Sequence, residues 1–138
     1  MRYSKEQELY EAIRDSLIPD LLLYKENYTV YDCFSEDFKM QIELKCRRRH
    51  YDSLMIEYLK WSSLLRASKE NKTRAIYINS TPKGVWVFDL NHLEKTEALE
   101  WEIQTLPAKT QWGKGETKEK KIAYLDLALG TDITQKLL

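Results

Sequence analysis

The segment 38–46, Phe-Lys-Met-Gln-Ile-Glu-Leu-Lys-Cys, alternates strictly between apolar and polar side chains. Successive side chains of a strand point to opposite faces of a sheet, so this period of two predicts a strand buried on one face only. The apolar face comprises Met40, Ile42 and Leu44, and the polar face comprises Lys39, Gln41, Glu43 and Lys45. Because the apolar face needs a covering layer, the rest of the chain has to supply elements that pack against this strand.

Two longer segments repeat apolar residues every three to four positions, which is typical of amphipathic helices. In residues 4–18 this stripe includes Leu9 and Ile13. Residues 52–69 carry a second stripe, and residues 91–100 are expected to form a short third helix. These helices would supply the layers that cover the sheet.

Further strands are predicted where aromatic and β-branched residues cluster between turn-forming residues. They cover 28–34, 73–79, 85–88 and 120–127, with 21–25 as a candidate edge strand and 107–118 as an exposed loop. The order helix, strand meander, helix, strand pair predicts an α/β protein in the broad sense, with an α+β mixed sheet flanked by helices. With 138 residues, the chain has the length of one domain. We expect its core at about 4–90 and a strand-and-loop extension at 91–138.

The composition of the chain limits which partners it can bind and indicates its cellular compartment. The chain has 22 basic and 22 acidic residues, so binding to nucleic acid would have to come from a local basic patch. Cys33 and Cys46 are too few for a disulfide framework and are expected to be reduced, buried thiols. No apolar run reaches the ~20 residues that span a bilayer. The first residues lack the apolar core of a signal peptide, so we expect a cytoplasmic protein without a membrane partner.

The turn at 35–37 is expected to close a hairpin between the strands on either side of it. A loop of two or of four residues around this turn pairs Asp32 with Gln41. With either loop length, the side chain of Asp32 lies on the same face as those of Glu43 and Lys45. Glu43 is then the diagonal neighbour of Asp32, roughly 7–8 Å away between backbones.

Two carboxylates and one ammonium would therefore share one face of the hairpin. Adjacent carboxylates repel each other, and one of them is pushed toward protonation unless a cation lies between them. Mg²⁺ suits such a site, because it binds one or two carboxylates and keeps several waters. The ion would polarise a phosphoryl oxygen and lower the pKa of a bound water. Lys45 beside it would orient that water or stabilise charge on a phosphate oxygen.

Asp32, ten intervening residues and then Glu43-Leu44-Lys45 resemble the D…(D/E)-x-K signature of the restriction-endonuclease-like, or PD-(D/E)XK, nuclease superfamily. The resemblance covers about residues 4–90. It implies a restriction-endonuclease-like core and hydrolysis of DNA phosphodiesters with Mg²⁺, for which Mn²⁺ is a possible substitute.

The same resemblance assigns roles to individual residues. Asp32 and Glu43 would bind the metal, with the backbone carbonyl of Leu44 as a further ligand. Lys45 would assist the attacking water. Glu6 on the first helix would act behind these ligands or at a second metal, and it completes the set of four expected catalytic side chains.

More narrowly, the run Glu43-Leu-Lys-Cys-Arg, followed by Tyr51 and Ile56-Glu-Tyr-Leu-Lys-Trp61, resembles the core of small phage-encoded members of this superfamily. The likeness continues in the tail at 106–110 and 121–125. It implies a phage gene whose product acts in the cytoplasm of the host cell.

Basic residues directly follow the candidate site. Arg47, Arg48 and Arg49 would pair with backbone phosphates and position DNA without reading its sequence. Lys60 on the second helix resembles a family position and is a further candidate for nucleic-acid contact. The alternatives are a solvated loop for the arginines and an exposed helix charge for Lys60.

Two other functions stay open. A nuclease fold without activity would suit an interaction protein, such as a phage accessory or anti-defence factor, and it fits the net charge of zero. A homodimer selective for DNA junctions would offset the small contact area of one domain, and nine Tyr and four Trp would serve its interface. A zinc site is not expected, because Cys46 and His50 lack further ligands at close spacing.

Overall fold

The computed structural model of the protein describes residues 3–24, 31–107 and 117–137. The helices are α1 (Glu6–Ser16), α2 (Tyr58–Asn71) and α3 (Leu90–Lys95). The strands are β1 (Leu22–Leu23), β2 (Cys33–Ser35), β3 (Met40–Cys46), β4 (Ser53–Glu57), β5 (Arg74–Thr81), β6 (Gly84–Asp89), β7 (Glu102–Pro107), β8 (Thr117–Asp126) and β9 (Thr131–Asp132). Short 3₁₀ turns, Leu127–Leu129 and Thr134–Lys136, lie on either side of β9.

The strands form two sheets. The larger sheet has the order β1-β2-β3-β5-β6-β9, and the smaller one has the order β4-β8-β7. β3 and β5 run parallel, whereas the other neighbouring strands are antiparallel. A parallel pair needs a long crossover connection, which β4 and α2 supply between β3 and β5. The predicted mixed sheet with flanking helices is therefore present.

The larger sheet is covered on both faces. On one face, Leu9 and Ile13 of α1 share a buried cluster with Ile42 and Leu44 of β3. On the other face, α2, α3 and the smaller sheet contribute to a second buried cluster that includes Tyr77 of β5. The predicted apolar face of β3 thus packs against α1, and its polar face points toward the side of α2.

The predicted helix at 52–69 is wrong in its first part. Ser53–Glu57 form strand β4, and α2 begins only at Tyr58. Leu54 and Ile56 are buried and alternate with half-buried neighbours, as in a strand. β4 pairs with β8 near the end of the chain. This long-range pairing decides between two periodicities that the local sequence fits about equally.

Other expectations hold in part. β7 and β9 were not predicted, and β8 begins earlier than the expected strand at 120–127. Residues 25–30 and 108–116 lie outside the described residues, so the beginning of the predicted strand 28–34 and most of the predicted loop 107–118 are not tested. Of the rest of that strand, Cys33 and Phe34 belong to β2. Cys33 is buried and Cys46 packs against the same cluster, both as free thiols. No helix in the described ranges is both long and apolar enough to cross a membrane.

Candidate metal site

The hairpin of β2 and β3 brings the Asp32 side chain within hydrogen-bond reach of Glu43. The two strands pair Phe34 with Gln41 and Cys33 with Ile42, and Asp32 lies directly before this ladder. The predicted pairing of Asp32 with Gln41 is therefore wrong by two residues, because the hairpin turn spans residues 36–39. The displacement is even and therefore keeps the predicted side-chain faces of the paired strands, and the predicted proximity of Asp32 to Glu43 is present as a side-chain contact.

Asp20, outside the hairpin, holds this turn. Its carboxylate accepts hydrogen bonds from the Asp37 amide at 2.9 Å and from the Ser35 hydroxyl at 2.7 Å. The same hydroxyl oxygen accepts from the Phe38 amide at 3.1 Å. The bond from the Asp37 amide and then the bond from Ser35 hold the pKa of Asp20 below its ordinary value. Asp20 thus stabilises the four-residue turn and, through it, the register of Asp32.

The carboxylate of Asp32 is oriented by the backbone of β3. Its Oδ2 accepts a hydrogen bond from the Leu44 amide at 2.8 Å, and the Asp32 amide donates to the Ile42 carbonyl at 2.9 Å. The amide and carbonyl of one strand residue project to the same side. The Leu44 carbonyl therefore projects from β3 toward the side on which Asp32 lies.

Glu43 occupies a poorly solvated position. Its side chain is only 13% exposed, and its Oε2 lies 2.8 Å from Nζ of Lys60 in the first turn of α2. Burial raises the pKa of Glu43 to about 7. Lys60 opposes this shift, and Asp32, within hydrogen-bond reach of Glu43, adds to it. Two carboxyl groups at this separation can share one cation.

Lys45 and Glu6 complete the cluster. Lys45 follows Glu43 by two residues on the same face of β3 and is exposed. Within the described ranges, its ammonium has no ion-pair partner. Desolvation raises the pKa of Glu6, at the start of α1, and the charge of Asp32 raises it further, whereas Lys45 and Lys60 lower it. The first helix thus brings a third carboxylate into electrostatic contact with the hairpin site.

The residues at this site fit magnesium. Two carboxylates and a nearby carbonyl are hard oxygen donors, and Mg²⁺ usually takes one or two carboxylates and keeps several waters. Burial and, after it, the charge of Asp32 raise the pKa of Glu43, and a divalent cation bound beside this carboxylate would compensate its charge. In the parts of the chain that the structure describes, no three acidic, histidine or cysteine side chains are grouped closely enough to hold a metal. A closed tetrahedral site of the zinc type is therefore not formed by these residues.

The structure separates the three arginines that follow the site. Arg47 donates through Nε to Oδ1 of Asn79 at 2.6 Å and through Nη2 to the Met55 carbonyl at 2.7 Å. It therefore ties β3 to β4 and β5 within the fold. Arg48 and Arg49 are exposed in the loop after β3, where phosphates can reach them.

Sequence reasoning missed two contacts of the site. It treated Lys60 as a residue for nucleic-acid contact, whereas the structure pairs Lys60 with Glu43. It also gave no role to Asp20. An exposed lysine on a helix and an aspartate after a proline are common, and their spacing carries no signal for the partner that the fold brings to them.

Comparisons with known proteins bear on the fold. No protein-family model and no curated protein match the chain. Among solved structures, the chain is similar to Hjc of Archaeoglobus fulgidus, a Holliday junction resolvase from an archaeal hyperthermophile. The TM-score is 0.55 at 16% sequence identity, over 95% of this chain and 97% of that chain. This likeness confirms the expected fold class, a mixed α+β architecture of the restriction-endonuclease-like type.

Proposed function

We propose that the protein is a metal-dependent deoxyribonuclease that hydrolyses phosphodiester bonds in DNA. The observation that carries the proposal is the contact between the carboxyl groups of Asp32 and Glu43, with the exposed Lys45 two residues after Glu43 on β3. This arrangement can hold one hard cation beside the exposed ammonium of Lys45. The likeness of the fold to that of a Holliday junction resolvase supports the same class of reaction.

Asp32 and Glu43 would hold Mg²⁺, for which Mn²⁺ would substitute, and the Leu44 carbonyl would be a third ligand. When bound, such an ion lowers the pKa of a coordinated water and polarises a phosphoryl oxygen. Leu44 connects the ligands, because its amide orients the carboxylate of Asp32 while its carbonyl projects toward the same side.

Lys45 and Glu6 would handle charge and protons. The ammonium of Lys45 can donate to an attacking water or to a nonbridging phosphate oxygen, which positions the reactants and stabilises developing negative charge. The raised pKa of Glu6 makes this carboxylate a better proton acceptor than an ordinary glutamate. Arg48 and Arg49 would contact the DNA backbone from the exposed loop that follows β3.

Cleavage assays test the proposal. Wild-type protein should cut plasmid, single-stranded or branched DNA with Mg²⁺ or Mn²⁺, and EDTA should stop the reaction. Lys45→Met should lower the rate by about 10²–10⁴, the usual contribution of a group that aids proton transfer. Lys69→Met is the control. Lys69 lies in α2 and pairs with Glu94 of α3, so this substitution should leave the rate unchanged. A rate that Lys45→Met does not alter would contradict the proposal.

A junction-selective homodimer is the second candidate, and the likeness to the resolvase Hjc favours it. It predicts that a four-way junction is cut in preference to a duplex of the same sequence, together with a mass in solution twice that of the chain. A folded protein that binds neither metal nor DNA would instead support a non-catalytic interaction protein.

The resemblance to phage-encoded proteins also leads us to propose a phage gene and action in the host cytoplasm. The free thiols Cys33 and Cys46 agree with a reducing compartment. A gene located outside phage or prophage sequences would contradict this origin.

A further inference from the structure

We propose that Lys60 is an internal counter-cation of the site, which holds Glu43 in the metal-free protein and has to leave it when a divalent cation binds. Lys60 would then set the metal affinity of the protein. This inference rests on the proposed function, because it takes Glu43 to be a metal ligand.

The two partners of the ion pair between Lys60 and Glu43 differ in their exposure. Nζ of Lys60 lies 2.8 Å from Oε2 of Glu43, yet the Lys60 side chain is 45% exposed and that of Glu43 only 13%. A buried carboxylate needs a partner, since an uncompensated buried charge is costly. A half-exposed lysine can move its ammonium into water on a flexible stem. The pair is therefore suited to exchange of the cation while the carboxylate stays in place.

Lys60 lies at the end of its helix where a cation is disfavoured. Lys60 is the third residue of α2, whose first turn contains no acidic residue and whose cap residue, Glu57, makes no capping hydrogen bond. The carboxylate of Glu57 instead pairs with Lys120 at 2.9 Å. A helix N-terminus carries partial positive charge and disfavours a lysine. Glu43 therefore compensates a cation that α2 itself repels.

With a metal bound, the carboxylate of Glu43 would face two cations at once. A divalent ion bound by Glu43 and Asp32 would lie within a few ångströms of an ammonium still bonded to Oε2, and like charges at that separation repel strongly where water is scarce. Nζ of Lys60 is already bonded to Oε2 of Glu43 at 2.8 Å, and Asp32 lies within hydrogen-bond reach of the same carboxyl group. The ammonium is thus held by the carboxylates that a metal would need.

Calorimetric titration with Mg²⁺ alone tests the inference, at a pH of about 8.5 so that Glu43, whose pKa is about 7, is largely ionised. Lys60→Met removes the charge and keeps the stem, whereas Lys60→Gln keeps a hydrogen-bond donor without the charge. Both variants should bind Mg²⁺ on the order of tenfold more tightly than wild type, the factor that 1.4 kcal/mol of relieved repulsion represents. Equal or weaker binding would overturn the inference.

The control comes from the same helix. Lys69 pairs with Glu94 at 2.9 Å and is 61% exposed, so Lys69→Met removes a comparable ion pair away from the site. Its Mg²⁺ affinity should equal that of wild type. A similar gain in Lys69→Met and Lys60→Met would mean that net charge alone controls the affinity, which would also overturn the inference. Circular dichroism establishes that each variant is folded before titration.

A second readout uses the wild-type protein. Amine acylation followed by peptide mass analysis should label Lys60 several-fold faster with Mg²⁺ than with EDTA, while Lys69 is labelled equally in both. Unchanged labelling of Lys60 under Mg²⁺ saturation would overturn the inference and leave the metal site intact. If neither wild type nor the Lys60 variants bind Mg²⁺ at millimolar concentration, the proposed function fails together with the inference.

Discussion

The backbone amide of Leu44 donates a 2.8 Å hydrogen bond to Oδ2 of Asp32. Leu44, the central residue of the Glu43-Leu44-Lys45 motif, thus orients the aspartate across the hairpin. The side chains of Glu43 and Lys45 lie on one face of the strand, and the side chain of Leu44 lies on the other. The motif therefore shapes the site through its backbone as well as through its charged groups.

Replacement of Asp32 separates this structural contact from metal binding. Asp32→Asn retains an oxygen acceptor for the Leu44 amide, so its stability should stay close to that of wild type. Asp32→Ala leaves the amide without this acceptor and should lower the free energy of unfolding by about 1 kcal/mol. Both variants should lose Mg²⁺ binding and DNA cleavage. Urea unfolding and calorimetry check this, and retention of metal binding in Asp32→Asn would contradict it.

Glu43→Gln should stabilise the metal-free protein at alkaline pH. The folded pKa of Glu43 is raised to about 7 from 4.5, so its contribution to stability is present below pH 4.5 and is lost as pH rises through 7. Glutamine has no proton to lose. In EDTA at pH 8.5 the free energy of unfolding of the variant should exceed that of wild type by roughly 1–3 kcal/mol. The difference should be much smaller at pH 4.5. A less stable variant at pH 8.5 would contradict the burial of an ionised Glu43.

Asp20→Asn should weaken the hairpin turn. The pKa of Asp20 is lowered first by its bond from the Asp37 amide and then by that from Ser35, so the stabilisation is present above the unfolded pKa of about 3.8 and is lost as pH falls below it. The variant should therefore unfold at lower urea concentration than wild type at pH 7, and the two should converge in acid. A difference that does not depend on pH would show that the charge of Asp20 is not involved.

The arginines after β3 should behave differently from one another. Arg48→Ala and Arg49→Ala should weaken DNA binding equally for all sequences. Each should also reduce the slope of log affinity against log salt concentration by about one, the value for one phosphate contact. Arg47→Ala should instead lower the unfolding free energy, because Arg47 bonds to Asn79 and the Met55 carbonyl within the fold. Titrations of DNA at several salt concentrations and urea unfolding separate the two effects. Loss of DNA binding in folded Arg47→Ala alone would reverse the assignment.

The proximity of Asp32 to Glu43 was predictable because side-chain parity survives an even error in register. The alternation of residues 38–46 identified the polar face of β3, and any even loop keeps Asp32 on the face of Glu43. The register itself depends on the turn at 36–39 and on its bonds to Asp20. That contact joins segments that are separate in sequence, so local patterns could not predict it.

The parts that were not predicted depend on long-range pairing. Leu54 and Ile56 fit a strand, but Leu54 with Tyr58 also fits a helix, and only the pairing of β4 with β8 selects the strand. The partner of Lys60 follows from the same choice, because α2 begins at Tyr58 and this places Lys60 in its first turn over Glu43. A helix that began at residue 52 would have put Lys60 in its middle.

Anomalous diffraction from crystals grown with Mn²⁺ tests the metal site most directly. We expect one strong anomalous peak shared by the carboxylates of Asp32 and Glu43, near the Leu44 carbonyl, and no peak there in Asp32→Asn crystals. A saturating Mn²⁺ soak that leaves the space between these two carboxylates without a peak, or that places the ion elsewhere, would contradict it.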